Sequence, residues 1–168
     1  MPGYLALLLL PLASLAFAAP DSLCGTKESP VFDCSVGNKR ISICAAGDLS
    51  SKTGTLQYRF GTRERIELRY PAQAAAPSGH FLASRTSYSG GGEFRIRFRN
   101  GDYDYLIFDS TTRTGFGAAG NLPVFEAGVQ VKHQGKLLAT RRCSGNRHLD
   151  SDLMTLLPEE EFDYDARP

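Results

Sequence analysis

Apolar and polar residues alternate with a period of two over much of the chain, the pattern of a half-buried β-strand. The clearest run is Phe94-Arg95-Ile96-Arg97-Phe98-Arg99. Asn100-Gly101 follows, then Asp102-Tyr103-Asp104-Tyr105-Leu106-Ile107-Phe108. Asn-Gly between two alternating runs predicts a hairpin with a two-residue loop, because both residues tolerate the positive φ that such turns need. That loop sets Phe98 opposite Tyr103, Ile96 opposite Tyr105 and Phe94 opposite Ile107 on one face. On the other face it pairs Arg99 with Asp102 and Arg97 with Asp104. A second hairpin is expected from residues 56–60 and 64–70. A three-residue loop, Gly61-Thr62-Arg63, keeps Leu56, Tyr58 and Phe60 on the same face as Ile66, Leu68 and Tyr70. A third hairpin is expected from 31–36 and 41–44, turning at Gly37-Asn38. Further strands are expected at 81–88, 124–133 and 137–143, with loops at 71–79 and 115–120.

No segment of the body carries the 3.6-residue period of an amphipathic helix, so a βαβ arrangement is excluded. The pattern predicts an all-β fold, an antiparallel β-sandwich or small barrel of about eight strands built from hairpins. After Leu149 the character changes. Asp150 or Ser151 is placed to cap a short C-terminal helix through Leu153, Met154, Leu156 and Leu157, stopped by Pro158. An acidic tail follows, Glu159-Glu160-Glu161-Phe162-Asp163-Tyr164-Asp165, expected to be partly disordered.

The N-terminus points to a compartment. The apolar stretch from Leu5 is too short to span a bilayer, and it ends in Ala16-Phe17-Ala18, the small-x-small pattern of a cleaved signal peptide. No Lys or Arg precedes its apolar core. Residues 1–18 are therefore read as a signal peptide, 19–149 as a β domain and 150–168 as the acidic tail. The mature chain has no expected transmembrane segment. Cys24, Cys34, Cys44 and Cys143 remain, and an even count in an oxidising compartment predicts two disulfides. Of three possible pairings, Cys34–Cys44 with Cys24–Cys143 is preferred. The spacing has no C-x-x-C, so neither a metal nor a redox site is expected. No Asn-x-Ser/Thr sequon occurs, and a bacterial periplasmic address is the preferred reading.

Charge changes the picture next. The 168 residues sum to a formal +1, but residues 19–149 carry 18 basic and 11 acidic side chains, and residues 150–168 carry seven acidic and one basic. The body is strongly positive and the tail strongly negative. Arg59, Arg63, Arg65 and Arg69 are expected on the outward face of one hairpin, and Arg95, Arg97 and Arg99 on that of another. Sharing a sheet, they would form a basic face whose guanidinium forks suit phosphate and carboxylate. The interleaved aromatics point to the core, so nucleic acid is not an expected partner. Folding of the tail back over the arginine face would regulate access to it.

Tyr88-Ser89-Gly90-Gly91-Gly92-Glu93 enters the strongest hairpin. Its glycines form either a bulged turn or an exposed loop that a partner can approach closely. Only His80, His133 and His148 could act as bases near neutral pH, and the chain lacks G-x-S-x-G, H-E-x-x-H and P-loop motifs. No enzymatic activity and no cofactor are expected. Asp102-Tyr103-Asp104 lacks the pattern of a calcium loop.

Pro30-Val31-Phe32-Asp33-Cys34, Ile41-Ser42-Ile43-Cys44, Leu56-Gln57-Tyr58-Arg59-Phe60, Ile66-Glu67-Leu68 and the Tyr88–Glu93 stretch together resemble small secreted bacterial proteins that are mostly uncharacterised. In size, address and β character the chain is more distantly similar to bacterial periplasmic lysozyme inhibitors, which insert a Ser-Gly-x-x-Tyr loop into the lysozyme cleft. That resemblance implies Ser89 and Gly90 as inserting residues, although Glu93 and Phe94 stand at the tyrosine's place and Tyr88 precedes the serine. The expected function is a secreted or periplasmic non-enzymatic binding protein, lysozyme-inhibitor-like, acting on a protein partner through residues 88–93. The alternative is a module that binds anionic glycan, lipid or phosphate of the envelope through Arg95, Arg97 and Arg99.

Overall fold

The structure, a computed structural model, describes residues 22–113, 115 and 120–166, with only the backbone of Asn146. The expected signal peptide and most of the 115–120 loop lie outside the described residues. Ten strands form: β1 (Glu28–Val36), β2 (Lys39–Ala46), β3 (Thr55–Gly61), β4 (Ile66–Ala75), β5 (Leu82–Tyr88), β6 (Gly91–Asn100), β7 (Tyr103–Arg113), β8 (Pro123–His133), β9 (Lys136–Arg142) and β10 (Ser144–Leu149). They make two antiparallel sheets, ordered β10-β1-β2-β3-β4 and β5-β6-β7-β8-β9, packed face to face and not closed into a barrel. The all-β sandwich predicted by the alternation is the fold. The core between the sheets joins aliphatics such as Ile41, Ile43, Leu56, Ile96 and Ile107 to an aromatic cluster. In that cluster Phe98 stacks on Tyr70 (4.5 Å) and Tyr105 (4.6 Å), with Tyr58 at 4.8 Å.

Three expectations change in detail. The β6–β7 hairpin pairs Asn100 with Tyr103, Phe98 with Tyr105, Ile96 with Ile107 and Arg99 with Asp104, a register two residues away from the expected one. Its loop is Gly101-Asp102, and only Gly101 takes positive φ (+59°), so glycine occupies the first central position of the turn. Because the shift is even, every side chain keeps its face. In the β3–β4 hairpin, Tyr58 pairs with Tyr70 and Phe60 with Leu68, but the loop has four residues, and a bulge at Gly61 restores the parity. β4 then continues through Pro71 to Ala75, where a loop was expected. As an edge strand it accommodates a residue without an N–H, and the Gln57 side chain donates to the Pro71 and Ala72 carbonyls at 2.9 and 3.2 Å.

The disulfides are Cys24–Cys44 and Cys34–Cys143, not the preferred pairing. Alternation explains why. Cys34 pairs across the strands with Ile41, on the core face, whereas Cys44 follows Ile43 and lies on the opposite face, three positions further along. Cys34 instead meets Cys143, where the chain passes from β9 in one sheet to β10 in the other. Cys44 meets Cys24 in the N-terminal segment, which lies over the outer face; there Leu23 N–H donates to Ser42 Oγ at 2.9 Å. Two bridges and no free cysteine fit an oxidising, extracytoplasmic compartment.

Asp150 caps α1 (Ser151–Met154) by accepting from the Asp152 and Leu153 N–H groups. Met154 and Leu157 close one end of the core. The described part of the tail, residues 159–166, packs against the body, with Phe162 and Ala166 buried.

Candidate functional site

The two arginine sets do not share a sheet. β3 and β4 lie in one sheet, β6 and β7 in the other, so two separate outer faces result. On the first, Arg59 is spent. It donates to both Glu28 carboxylate oxygens (2.5 and 2.7 Å), to Gln57 Oε1 (2.8 Å) and to the Leu23 carbonyl (2.8 Å). Arg69 stands directly across from it and is exposed, while Arg63 and Arg65 lie in the β3–β4 loop and not on a strand.

The second face is the outward side of β5, β6 and β7, and the tail lies on it. Beyond α1 the chain runs parallel to the β5 edge: Ala83 N–H donates to the Pro158 carbonyl (2.8 Å), and Glu160 N–H donates to the Ala83 carbonyl (2.9 Å). Glu159 pairs with Arg85 at that edge (3.7 Å). Arg97 forks onto the Glu160 carboxylate, with Nε 3.0 Å from both oxygens, and this bond holds its pKa above the ordinary value. The Phe162 ring sits 3.8 Å from Arg95 Cζ, in cation–π distance. Arg95 also donates to the Asp163 carbonyl, and Tyr164 meets Thr86 Oγ1 at 2.9 Å. Arg99 remains exposed and pairs with Asp104 (2.9 Å).

Under this cover Arg95 is only 2% exposed. Its charge is met by the equally buried Glu93 (Nε to Oε1, 2.6 Å), which also accepts from the Tyr88 hydroxyl (2.8 Å). Leu106 and Phe108, cross-strand partners of Arg97 and Arg95, face outward yet are buried. A cleft of about 340 Å³ remains between tail and sheet, lined by Arg95, Arg97, Leu106, Lys132 and the tail's acids. Among the described residues, Arg95 Nη2 has no hydrogen-bond partner.

The Tyr88–Glu93 stretch is a tight hairpin, not a wide loop. Tyr88 pairs with Gly91, leaving Ser89 and Gly90 as the exposed tip. Gly91 and Gly92 belong to β6, where a Cβ would fall 1.9 Å from the Thr111 carbonyl oxygen and 2.9 Å from that of Thr86. Close strand packing, rather than partner access, demands these two glycines. Arg113 Nε donates to the Gly90 carbonyl (3.1 Å) at the tip.

Cys24, Glu28 and Cys44 bring potential ligand atoms within 4.8 Å of one another, but both sulfurs are joined in a disulfide and Glu28 is held by Arg59. Of the histidines, His133 packs at a tilt against Tyr103 (4.6 Å), His80 and Tyr70 meet edge to face (5.9 Å), and a His148 ring nitrogen lies 3.1 Å from the Pro30 carbonyl oxygen. Phe162 and Tyr164 were not among the candidate residues. Their signal was the period-two alternation with Asp163 and Asp165, which marks an extended segment with two unlike faces.

No family model, curated protein or solved structure matches this chain.

Proposed function

We propose that the protein is a periplasmic, non-enzymatic binding module whose receptor face is the outward side of β5–β7, fitted to an extended acidic segment of a partner protein. The C-terminal tail is the resident occupant that such a segment displaces. One observation carries this reading: the tail is held by the three kinds of contact that recognise a foreign peptide. Main-chain bonds add it to the β5 edge, a guanidinium fork takes its carboxylate, and an arginine lies against its aromatic ring. Being tethered, the tail competes at an effective concentration of about millimolar. It sets a threshold below which weak acidic ligands do not bind.

The reading is tested with the chain truncated after Pro158 and a synthetic peptide of residues 159–166. The truncated protein should bind the peptide in a salt-sensitive manner, and the full chain at least tenfold more weakly. Absence of binding by a truncated protein that is folded by circular dichroism would reject the reading. If truncation prevents folding, full-length Glu160→Gln with Phe162→Ala takes its place. Retention of the truncated protein on a heparin-like resin, without peptide binding, would favour the anionic-glycan alternative through Arg95, Arg97 and Arg99. The lysozyme-inhibitor reading is supported by the exposed Ser89-Gly90 tip, and slowing of chicken-, goose- or invertebrate-type lysozyme is its measurement.

A further inference from the structure

A second site lies where the sandwich is open. Between β3–β4 of one sheet and β7–β9 of the other is a cleft of about 330 Å³. Phe60 and Leu68 form one wall, Val131, Leu138 and Ala139 the other, with Tyr58 and Tyr105 at its base. The volume lies within the range of small-molecule sites, and the lining is of their type, apolar with few polar groups. Phe60, Leu68, Tyr105 and Val131 are only half-buried, and Leu138 is 55% exposed on an edge strand. That is apolar surface left uncovered at the margin of an otherwise close-packed core.

The rim carries one cation without an acidic partner. Arg141 lies over the Phe60 ring (5.4 Å), is exposed, and among the described residues makes no ion pair. The acid nearest in influence, Glu67, is held by Lys39 at 2.8 Å. Lys39 itself approaches the same ring (5.4 Å), so the rim is net positive. Burial and the neighbouring Tyr105 push the Tyr58 phenol well above its ordinary pKa, so the base of the cleft stays neutral.

We propose that this cleft binds a small amphiphile with an unbranched apolar chain and one carboxylate. The chain lies between Phe60, Leu68, Val131 and Leu138, and the carboxylate pairs with Arg141. Charge complementarity selects the occupant: a single uncommitted guanidinium at the mouth of an apolar slot calls for one anionic head on an apolar body. The site is on a different surface from the tail-covered face and does not depend on it.

The test is calorimetric titration of the whole protein with decanoate, with decanol and acetate as controls. Saturable decanoate binding is expected, with decanol at least tenfold weaker and acetate silent. Arg141→Glu, an exposed substitution, should weaken decanoate at least tenfold while leaving the near-UV circular dichroism unchanged. Ala139→Phe should fill the cleft and abolish binding. If that variant does not fold, Leu138→Ser serves in its place and should weaken decanoate and decanol alike. Methyl resonances of Val131, Leu138 and Ala139 should shift on titration. No saturable binding would overturn the proposal, as would binding indifferent to both Arg141→Glu and the cleft variant. A concentration-dependent dimer abolished by Leu138→Ser would also overturn it, because a second copy would then be what covers these residues.

Discussion

At the scale of single residues, glycine separates two physical needs. Gly101 has φ +59° with open space around it, so alanine there meets no atom and costs only the left-handed backbone conformation, about 1 kcal/mol. Gly91 has no positive φ, but a Cβ would fall 1.9 Å from the Thr111 carbonyl oxygen, so β6 and β7 must separate to admit it. Gly91→Ala is expected to cost about 3 kcal/mol or more and Gly101→Ala about 1 kcal/mol, both read from urea unfolding midpoints. Equal costs would show that the strand spacing at Gly91 yields freely. Arg95 is the residue whose role the sequence concealed most. Alternation places it outward with Arg97 and Arg99, and the opposite charges of body and tail lead to the expectation that the tail folds over that face. Neither shows that Arg95 is buried to 2% exposure between Glu93 and the Phe162 ring. Period-two reasoning names a face and says nothing of what a distant segment lays on it.

At the scale of elements, the strands were legible because each has one apolar face, and β5, β8 and β9 fall within a residue of their expected ends. β10, Ser144–Leu149, was not legible: it is polar and forms through pairing with β1, with Asp33 opposite His148. The disulfide partners were within reach of the same alternation, since Cys34 shares a face with Ile41 and Cys44 does not. The N-terminal segment is held by its bridge and by the Glu28–Arg59 fork. Burial raises the Glu28 pKa, but the hydrogen bonds from Arg59 and the Gly25 N–H, with the Arg59 charge, outweigh it and leave the pKa below the ordinary 4.5. A carboxyl depressed in the folded state stabilises above its unfolded pKa, and that contribution is lost as pH falls through the folded one. Wild type should therefore exceed Glu28→Gln in stability by about 1 kcal/mol at neutral pH, after allowance for solvent screening. The gap should close as the pH is lowered below 4.5. A gap that persists in acid would mean the fork acts through packing and not through charge.

At the scale of the whole molecule, the chain is a positive body, +7 over residues 19–149, folded against a negative tail, −6 over residues 150–168. Salt acts on these two arrangements with opposite sign. In the full chain the net charge is close to zero, so self-repulsion is small. What screening weakens is the attraction between Arg85, Arg97 and the tail's carboxylates. In the chain truncated after Pro158 that attraction is gone and the body's excess of cations repels itself, a destabilising effect that salt relieves. Raising sodium chloride from about 0.05 M to about 0.5 M shortens the Debye length several-fold. It is expected to leave the melting temperature of the full chain unchanged or slightly lower, and to raise that of the truncated chain. The truncated chain should also be the less stable at every salt concentration, because Leu106, which lines the cleft beneath the tail, loses cover that screening cannot replace. Parallel salt curves would show that the tail is held by its apolar side chains alone, Phe162 chief among them. An acidic partner would then have no charge-based route to displacing it.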